Sequence, residues 1–408
     1  MVPSHSYKPI RWIVLLILVI ATGVVGAWSS AWWKQSRIRE YEARCRAAQA
    51  RGDWNELAAV SEKWSVWQPD SGQAWLTRAL AAQESGDLPA SAGFLEQIPD
   101  HYEGAIAARL ELSTLYFEPL NRPVDGVRIC ERILATNPEI VAAHQRLCHY
   151  FAMTLQRSRL LRQVRDSIER KAETVDGYNY FVTLPDLVFS DSLQRVTRWL
   201  EVTPDEPTLL VASALIRTRD DKQKSGNEYE ALMTQELWTL LKRFPDDIEL
   251  RTTLLEIVSR NGDVAGVEQL LESAPQSAGD DYRMWRIRSW YSLANGNPEA
   301  SEKAAREAIR LYPMDWHNWQ HLAGILRQAN QPAEAAEAQR IAMFGKELQG
   351  VLLSLLDPRN PPRAALEGIL EFAETCGDDF VIENLSRRLQ VSKKTMARLN
   401  FGESALQL

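Results

Sequence analysis

Residues 285–319 read WRIRSWYSLANGNPEASEKAAREAIRLYPMDWHNW, and this stretch decides the fold. It begins and ends on tryptophan, since Trp319 follows Trp285 by 34 residues. Eleven residues after each tryptophan comes a pair of turn-forming residues, which is Gly296–Asn297 in the first copy and Asn330–Gln331 in the second. A fixed period of this length indicates a chain built from repeated supersecondary units.

Each unit is predicted to be two helices joined by a tight turn. From Trp319 to Leu326 the apolar residues recur at i, i+3, i+4 and i+7, as on one face of a helix. Glycine or asparagine at the turn accepts the left-handed backbone that ends a helix. The alanine-rich segment 298–309 begins with proline, which favours a helix start, and Pro313 stops the second helix.

The same spacing recurs along most of the chain. Gly-Asp pairs occur at Gly52–Asp53, Gly86–Asp87 and Gly262–Asp263. We name the position eleven residues before each turn the packing slot, and an aromatic ring fills it in four of the five units that carry a clear turn. Prolines 28 residues after the slot extend the frame to further units. The predicted units begin near Tyr41, Trp75, Leu110, His144, Tyr178, Leu210, Arg251, Trp285 and Trp319.

This pattern resembles the tetratricopeptide repeat, whose signature is W-x2-L-G-x2-Y, then A-x3-F, then P. The best unit reads Trp319-x2-Leu322-Ala323-x2-Leu326. The resemblance covers 37–345, is degenerate between 155 and 250, and implies an all-α fold, an α-solenoid of helix-turn-helix repeats. The run RDDKQKSGNE at 218–227 is predicted to be an inserted loop, and 346–408 a helical C-terminal cap.

The resemblance also implies a function and a site. Such solenoids bind proteins or peptides along a concave groove and rarely catalyse reactions. First-helix residues that flank the packing slot line that groove, so their guanidinium groups are expected to suit a carboxylate-bearing partner. The groove candidates are Arg283, Arg286, Trp290, His317, Gln320 and Arg327.

The N-terminal part carries a second feature, an apolar run. After a short tail at 1–11, residues 12–33 contain no charge, and as a helix this run is about 33 Å long, enough to cross a bilayer. Tryptophans at both ends are typical of interfacial anchors. We therefore predict a single transmembrane helix, as in membrane-anchored, bacterial-type tetratricopeptide proteins. A signal peptide cleaved near 25–27 and a buried core helix are the alternatives.

The side of the membrane is weakly determined by the charges around the run. Lys8 and Arg11 precede it, whereas six basic residues follow it within 34–51. Counted literally, the positive-inside rule places the large C-terminal part in the cytoplasm, but long domains translocate largely regardless of such charges. We favour an extracytoplasmic (periplasmic) location.

Signatures of chemistry are sparse. The sequence has no G-x-S-x-G, P-loop or G-x-G-x-x-G motif. His317 and His321 are spaced like a zinc pair, but no further ligands follow, so solvent-exposed histidines are the preferred interpretation. The cysteines are interpreted as small packing residues, with a Cys130–Cys148 disulfide as an option outside the cytoplasm. We expect no enzyme, catalytic residue, metal or cofactor.

Nucleic acid is not the expected partner, because the net charge is −7. Residues 385–399 nevertheless resemble a helix-turn-helix, with Lys393, Lys394 and Arg398 leading the recognition helix. A membrane-tethered DNA-binding regulator is therefore one alternative to a membrane-anchored adaptor, although polar capping helices explain the segment as well. An accessory subunit of an envelope assembly or biogenesis complex is the other.

Overall fold

The computed structural model describes residues 8–187, 189, 191–220 and 227–389, with the side chains of 8–27, 220 and 227–230 excepted. All regular structure within these ranges is helical. The chain divides into two compact units, 1–120 and 121–408. The predicted all-α class is confirmed.

Five helices are described in the first unit, and each packs against the next along the chain. Its core is centred on Leu57, Val60 and Trp64 of α2, which pack against small residues of the flanking helices. The helices are α1 (Lys8–Arg51), α2 (Trp54–Trp67), α3 (Gly72–Glu84), α4 (Leu88–Glu96) and α5 (Ala105–Phe117).

The second unit contains fifteen described helices, most of them in antiparallel pairs of about the predicted length. First helices of successive pairs also contact one another, as α11 does α13 and α13 does α15. The helices are α6 (Pro123–Thr136), α7 (Val141–Met153), α8 (Arg157–Glu169), α9 (Tyr180–Thr183), α10 (Ser192–Val202), α11 (Pro207–Asp220), α12 (Asn227–Arg243), α13 (Ile248–Arg260), α14 (Val264–Glu272), α15 (Tyr282–Ala294), α16 (Pro298–Leu311), α17 (Trp316–Gln328), α18 (Pro332–Leu353), α19 (Arg363–Cys376) and α20 (Asp379–Leu389).

The Gly-Asp pairs end one helix and begin the next. Gly86 has φ 81°, the left-handed conformation that glycine adopts without strain. The N–H of Asp87 then donates to the carbonyl of Ala82 at 2.9 Å, which caps α3. The Asp87 carboxylate accepts from the N–H of Ala90 at 3.1 Å, which caps α4. Asn330, with φ 59°, fills the same position in the last clear turn, as predicted.

In five repeats the side chain in the packing slot donates a hydrogen bond to the carbonyl six residues earlier, which belongs to proline in four repeats and to Gly279 in the fifth. The bond ties the start of one first helix to the segment that follows the preceding helix. It also explains why histidine and arginine substitute for tryptophan in two slots. The pairs are Trp75 to Pro69 (2.7 Å), His144 to Pro138 (2.8 Å), Arg251 to Pro245 (2.7 Å), Trp285 to Gly279 (2.7 Å) and Trp319 to Pro313 (2.8 Å).

The unit predicted at Tyr178 is wrong as a helix pair. Residues 175–187 form the single-turn helix α9 with one 3₁₀ turn before it and one after it. Tyr178 and Phe181 are fully buried, and the Tyr312 hydroxyl donates to the Phe181 carbonyl at 2.7 Å. The segment is therefore held by burial and by contacts far along the chain rather than by a repeat of its own. Of the predicted loop 218–227, residues 221–226 lie outside the described residues.

The C-terminal part is helical as far as it is described, since α18 continues to Leu353 and α19 and α20 follow. Leu385 to Leu389 end α20, and residues 390–399 of the helix-turn-helix-like segment lie outside the described residues. All four cysteines are buried free thiols, so Cys130 and Cys148 form no disulfide in this structure.

The predicted transmembrane span 12–33 falls within α1, and the side chains of its residues 12–27 lie outside the described residues. Among the residues that were searched, no helix combines the length and the apolar character needed to cross a bilayer. The transmembrane helix therefore stays a prediction.

Candidate functional site

The second unit contains a cavity of about 670 Å³ on the inner face of its helix pairs. The first helices of four successive pairs, α11, α13, α15 and α17, supply most of its lining. Leu155, Arg157, Pro185 and Asp186 complete the wall. The cavity thus lies where the non-repeating segment 175–187 ends and the regular pairs begin.

The lining residues occupy equivalent positions in successive repeats. Because the period is 34 residues, the same face of each first helix points into the cavity. Three such rows are Thr252, Arg286 and Gln320; Thr253, Ile287 and His321; and Glu256, Trp290 and Gly324. The cavity surface is therefore set by the repeat frame that the sequence already displays.

Five of the six predicted groove residues line this cavity. The exception is Arg327, which is exposed on α17 and whose Nε donates to the carbonyl of Ala323 at 3.2 Å. Contact of any of the six with a partner stays a prediction.

Arg283 is buried in an ion cluster rather than offered to solvent. Its guanidinium donates to Glu249 at 2.5 and 3.1 Å and to Asp281 at 2.7 and 3.0 Å, with 4% of the residue exposed. Arg157 adds a third hydrogen bond to Glu249 at 3.2 Å. The Ser158 hydroxyl donates to Asp281 at 2.6 Å. The cluster therefore ties the start of α8 to α13 and α15.

The protonation of the cluster follows from this pairing. Burial alone would raise the pKa of Asp281, but the Arg283 guanidinium and hydrogen bonds from Arg283 and Ser158 lower it to about 2. Burial would likewise lower the pKa of Arg283, yet Asp281 and Glu249 raise it well above its usual value. At neutral pH Asp281 and Arg283 are therefore both charged and neutralise each other.

Arg286 is neutralised in a second cluster. It donates to Glu256 at 3.0 Å and to Asp315 at 2.9 Å. Asp315 is fully buried, and although burial raises its pKa, hydrogen bonding to His317 and the charge of Arg286 lower it. His317 also lies 3.4 Å from Asp186 on the cavity wall. The arginines of this stretch of sequence are thus balanced by carboxylates. We name the two ion clusters, around Arg283 and Arg286, the floor of the cavity.

Uncharged groups at the cavity keep unused hydrogen-bonding capacity. Among the described residues, neither the Gln320 amide nor the buried Tyr282 hydroxyl has a hydrogen-bond partner, and Gln320 is exposed. Trp290 presents a half-buried indole. A Cβ on Gly324 would meet nothing within 4 Å, so the backbone of α17 is bare there.

The interpretation of His321 as solvent-exposed is wrong. It is half-buried, and its Nε2 lies 2.9 Å from the Ser289 hydroxyl. Burial, followed by the charge of Arg286, lowers its pKa to about 4, so the ring is neutral. Within the described part of the chain, no group of three or more metal-ligating side chains could hold a metal ion.

Glu249, Asp281 and Asp315 were missed as parts of the site. Asp281 and Arg157 are also buried, where charged side chains are rare unless they are paired. Glu249 and Arg283 carry opposite charges and are separated by one repeat period of 34 residues. This spacing was the sequence signal that could have indicated their ion pair.

Comparisons with known proteins give limited information. No family model and no curated protein matches the chain. Similar solved structures include yeast Tom70 (13% identity; 88% of this chain and 86% of that one; TM-score 0.29). A tetratricopeptide repeat protein from Parabacteroides merdae matches at 14% identity, covering 67% and 92%, with a TM-score of 0.25. The Cut9-Hcn1 hetero-tetramer of APC/C matches at 12%, covering 82% and 67%, with a TM-score of 0.36.

We draw no argument from similarities this weak. Tetratricopeptide-like repeats are confirmed at the level of the fold by the helix pairs, the 34-residue frame and the turns described above.

Proposed function

We propose that this protein is a non-enzymatic repeat scaffold that binds a segment of a protein partner in the cavity lined by α11, α13, α15 and α17. Trp290 and Gln320 contact the segment, and His317 borders it. Arg283 and Arg286 maintain the floor of the cavity through their ion pairs, so their contribution is to shape rather than to direct recognition.

The observation that carries the proposal is Gly324. A glycine inside a helix costs about 1 kcal/mol relative to alanine. Nothing in the described part of the chain lies within 4 Å of the Cβ that alanine would add, so internal packing does not require the glycine. Gly350 is equally open, but Gly324 differs from it in lining the cavity, where a partner could approach the α17 backbone closely. The neighbouring Trp290 supplies the aromatic surface that is typical of binding hot spots.

The test is selection of peptides from a displayed random library by the full chain. Peptides that bind the wild type should bind the Gly324→Ala variant at least about tenfold more weakly, because the methyl group occupies the contact surface. Gly350→Ala is the matched control, since Gly350 is also helical, exposed and open but does not line the cavity.

Both alanine variants are expected to fold at least as stably as the wild type, so a loss of binding cannot be ascribed to unfolding. Equal binding by wild type and Gly324→Ala would contradict the proposal, as would a failure to select any peptide.

We also propose that the run 12–33 holds the protein at a membrane, with the repeats on the extracytoplasmic side. Trp28, Trp32 and Trp33 of α1 support this, because they are 78%, 65% and 54% exposed and indoles favour the membrane interface. The double variant Leu15→Lys/Leu16→Lys should move the chain from the membrane to the soluble fraction.

Val66→Lys is the control for this shift, since Val66 is 71% exposed and lies outside the run. A wild type found in the soluble fraction would contradict anchoring. A reporter that is active only outside the cytoplasm, fused after Leu408, should be active, and activity of an inside-only reporter would reverse the orientation.

A further inference from the structure

We propose that the ligand of the cavity is an extended peptide segment without net charge, recognised through its main-chain amides and one aromatic or aliphatic side chain. This inference rests on the proposed function and specifies the chemistry of the partner. It differs from the carboxylate-bearing partner that the arginines in the sequence suggest.

The charges of the cavity are already balanced. Five arginines line it, and five carboxylates line it or are ion-paired to residues that do, namely Asp186, Glu249, Glu256, Asp281 and Asp315. The two arginines outside the ion clusters, Arg219 and Arg260, also have interactions within the chain. A ligand carboxylate beside Arg283 or Arg286 would therefore meet protein carboxylates at the same guanidinium, and its desolvation would not be compensated.

The unused hydrogen-bonding groups, in contrast, are uncharged. The Gln320 amide is exposed at the cavity and can both donate and accept, as a peptide unit does. The chemistry that is left free matches a polypeptide main chain.

The chain already binds its own main chain in this way beside the cavity. The Tyr312 hydroxyl donates to the Phe181 carbonyl at 2.7 Å, and the Gln349 amide donates to the Val182 carbonyl at 3.2 Å. Both carbonyls belong to the segment 175–187, whose Pro185 and Asp186 form one wall of the cavity. Neutral side chains of the repeats thus satisfy carbonyl groups next to the site where a partner would enter.

The size and shape of the cavity set the remaining features of the ligand. Four first helices at interaxial distances of about 9 Å span about 27 Å, which an extended peptide covers with about eight residues. Trp290 and the bare backbone of Gly324 occupy equivalent positions on adjacent helices, so one large ligand side chain fits against the indole while the main chain passes over the glycine.

The experiment offers the full chain two displayed peptide libraries of about ten residues, one without charged residues and one with two fixed carboxylates. Peptides from the neutral library should be enriched, and their affinity should change less than about twofold between roughly 0.05 and 0.5 M salt. Enrichment of acidic peptides, with an affinity that falls about tenfold over that range, would overturn the inference.

The variant Gln320→Lys gives a second readout, because its effect on affinity should differ in sign between neutral and acidic peptides. With the best neutral peptide, Gln320→Lys and Gln320→Glu should both weaken binding about tenfold, because each loses the amide and adds an unpaired charge. Gln328→Lys, on an exposed glutamine of α17 outside the cavity, should leave it unchanged. Stronger binding by Gln320→Lys would overturn the inference.

The failure of the proposed function would look different. If neither library yields peptides whose binding depends on Gly324, the cavity is not a peptide site, and this inference falls with it.

Discussion

Removal of the Arg283 guanidinium tests the ion cluster at the cavity floor. Arg283→Met keeps most of the side-chain volume but removes the donor of four hydrogen bonds to Glu249 and Asp281. These carboxylates are only 7% and 5% exposed, so water cannot replace the lost partner. Breaking a buried ion pair in this way costs about 3–5 kcal/mol, and we expect the second unit to lose about that much stability.

The assay is urea unfolding of the full chain, followed by circular dichroism. Arg310→Met is the control, because Arg310 forms an ion pair with Glu307 but 67% of its side chain is exposed. It should leave the unfolding midpoint unchanged, since exposed pairs contribute little. Asp281→Asn and Glu249→Gln, added to Arg283→Met, should recover part of the loss by removing the unpaired charges.

A loss for Arg283→Met no greater than for Arg310→Met would refute the account of the cluster.

Three further predictions follow from local geometry. Since the pKa of Asp281 is lowered from 3.8 to about 2, about 2 kcal/mol of stability present above pH 4 should be lost as the pH falls from about 4 to 2, and Asp281→Asn should lack that part of the acid transition. Trp319→Phe should lower the free energy of unfolding by about 1 kcal/mol in urea melts, because the Pro313 carbonyl loses its donor. Trp290→Phe removes no hydrogen bond within the described chain and should lower it by less. Gly324→Ala should raise the melting temperature, and Gly296→Ala, at φ 74°, should lower it by the equivalent of about 1 kcal/mol, as calorimetry would record.

The regular part of the fold was predictable because its signals are local. The tryptophan slot and the Gly-Asp turn act over short distances in the chain, and the structure explains both by hydrogen bonds within six residues. The closing proline acts locally as well, because it cannot continue a helix. The frame also identifies the inner face of each first helix, which is why Trp290 and Gln320 could be selected as lining residues from the sequence alone.

The charge state of the site was not predictable in the same way. Arg283 looked available because its partners Glu249 and Ser158 lie 34 and 125 residues away in the chain. These groups come together only because the fold places the start of α8 beside Glu249 and Asp281. The segment 175–187 escaped prediction for the related reason that its turns are stabilised by distant contacts, such as that from Tyr312, and carry no repeat signal of their own.

Photo-crosslinking from the cavity shows whether a selected peptide binds there. A benzoylphenylalanine in place of Gln320 should crosslink a peptide selected by the wild-type chain, because Gln320 is exposed at the cavity. The same group in place of Gln328, also exposed on α17 but outside the cavity, should give no product. Crosslinking at Gln328 alone, or equally at both positions, would place the partner elsewhere and contradict the account.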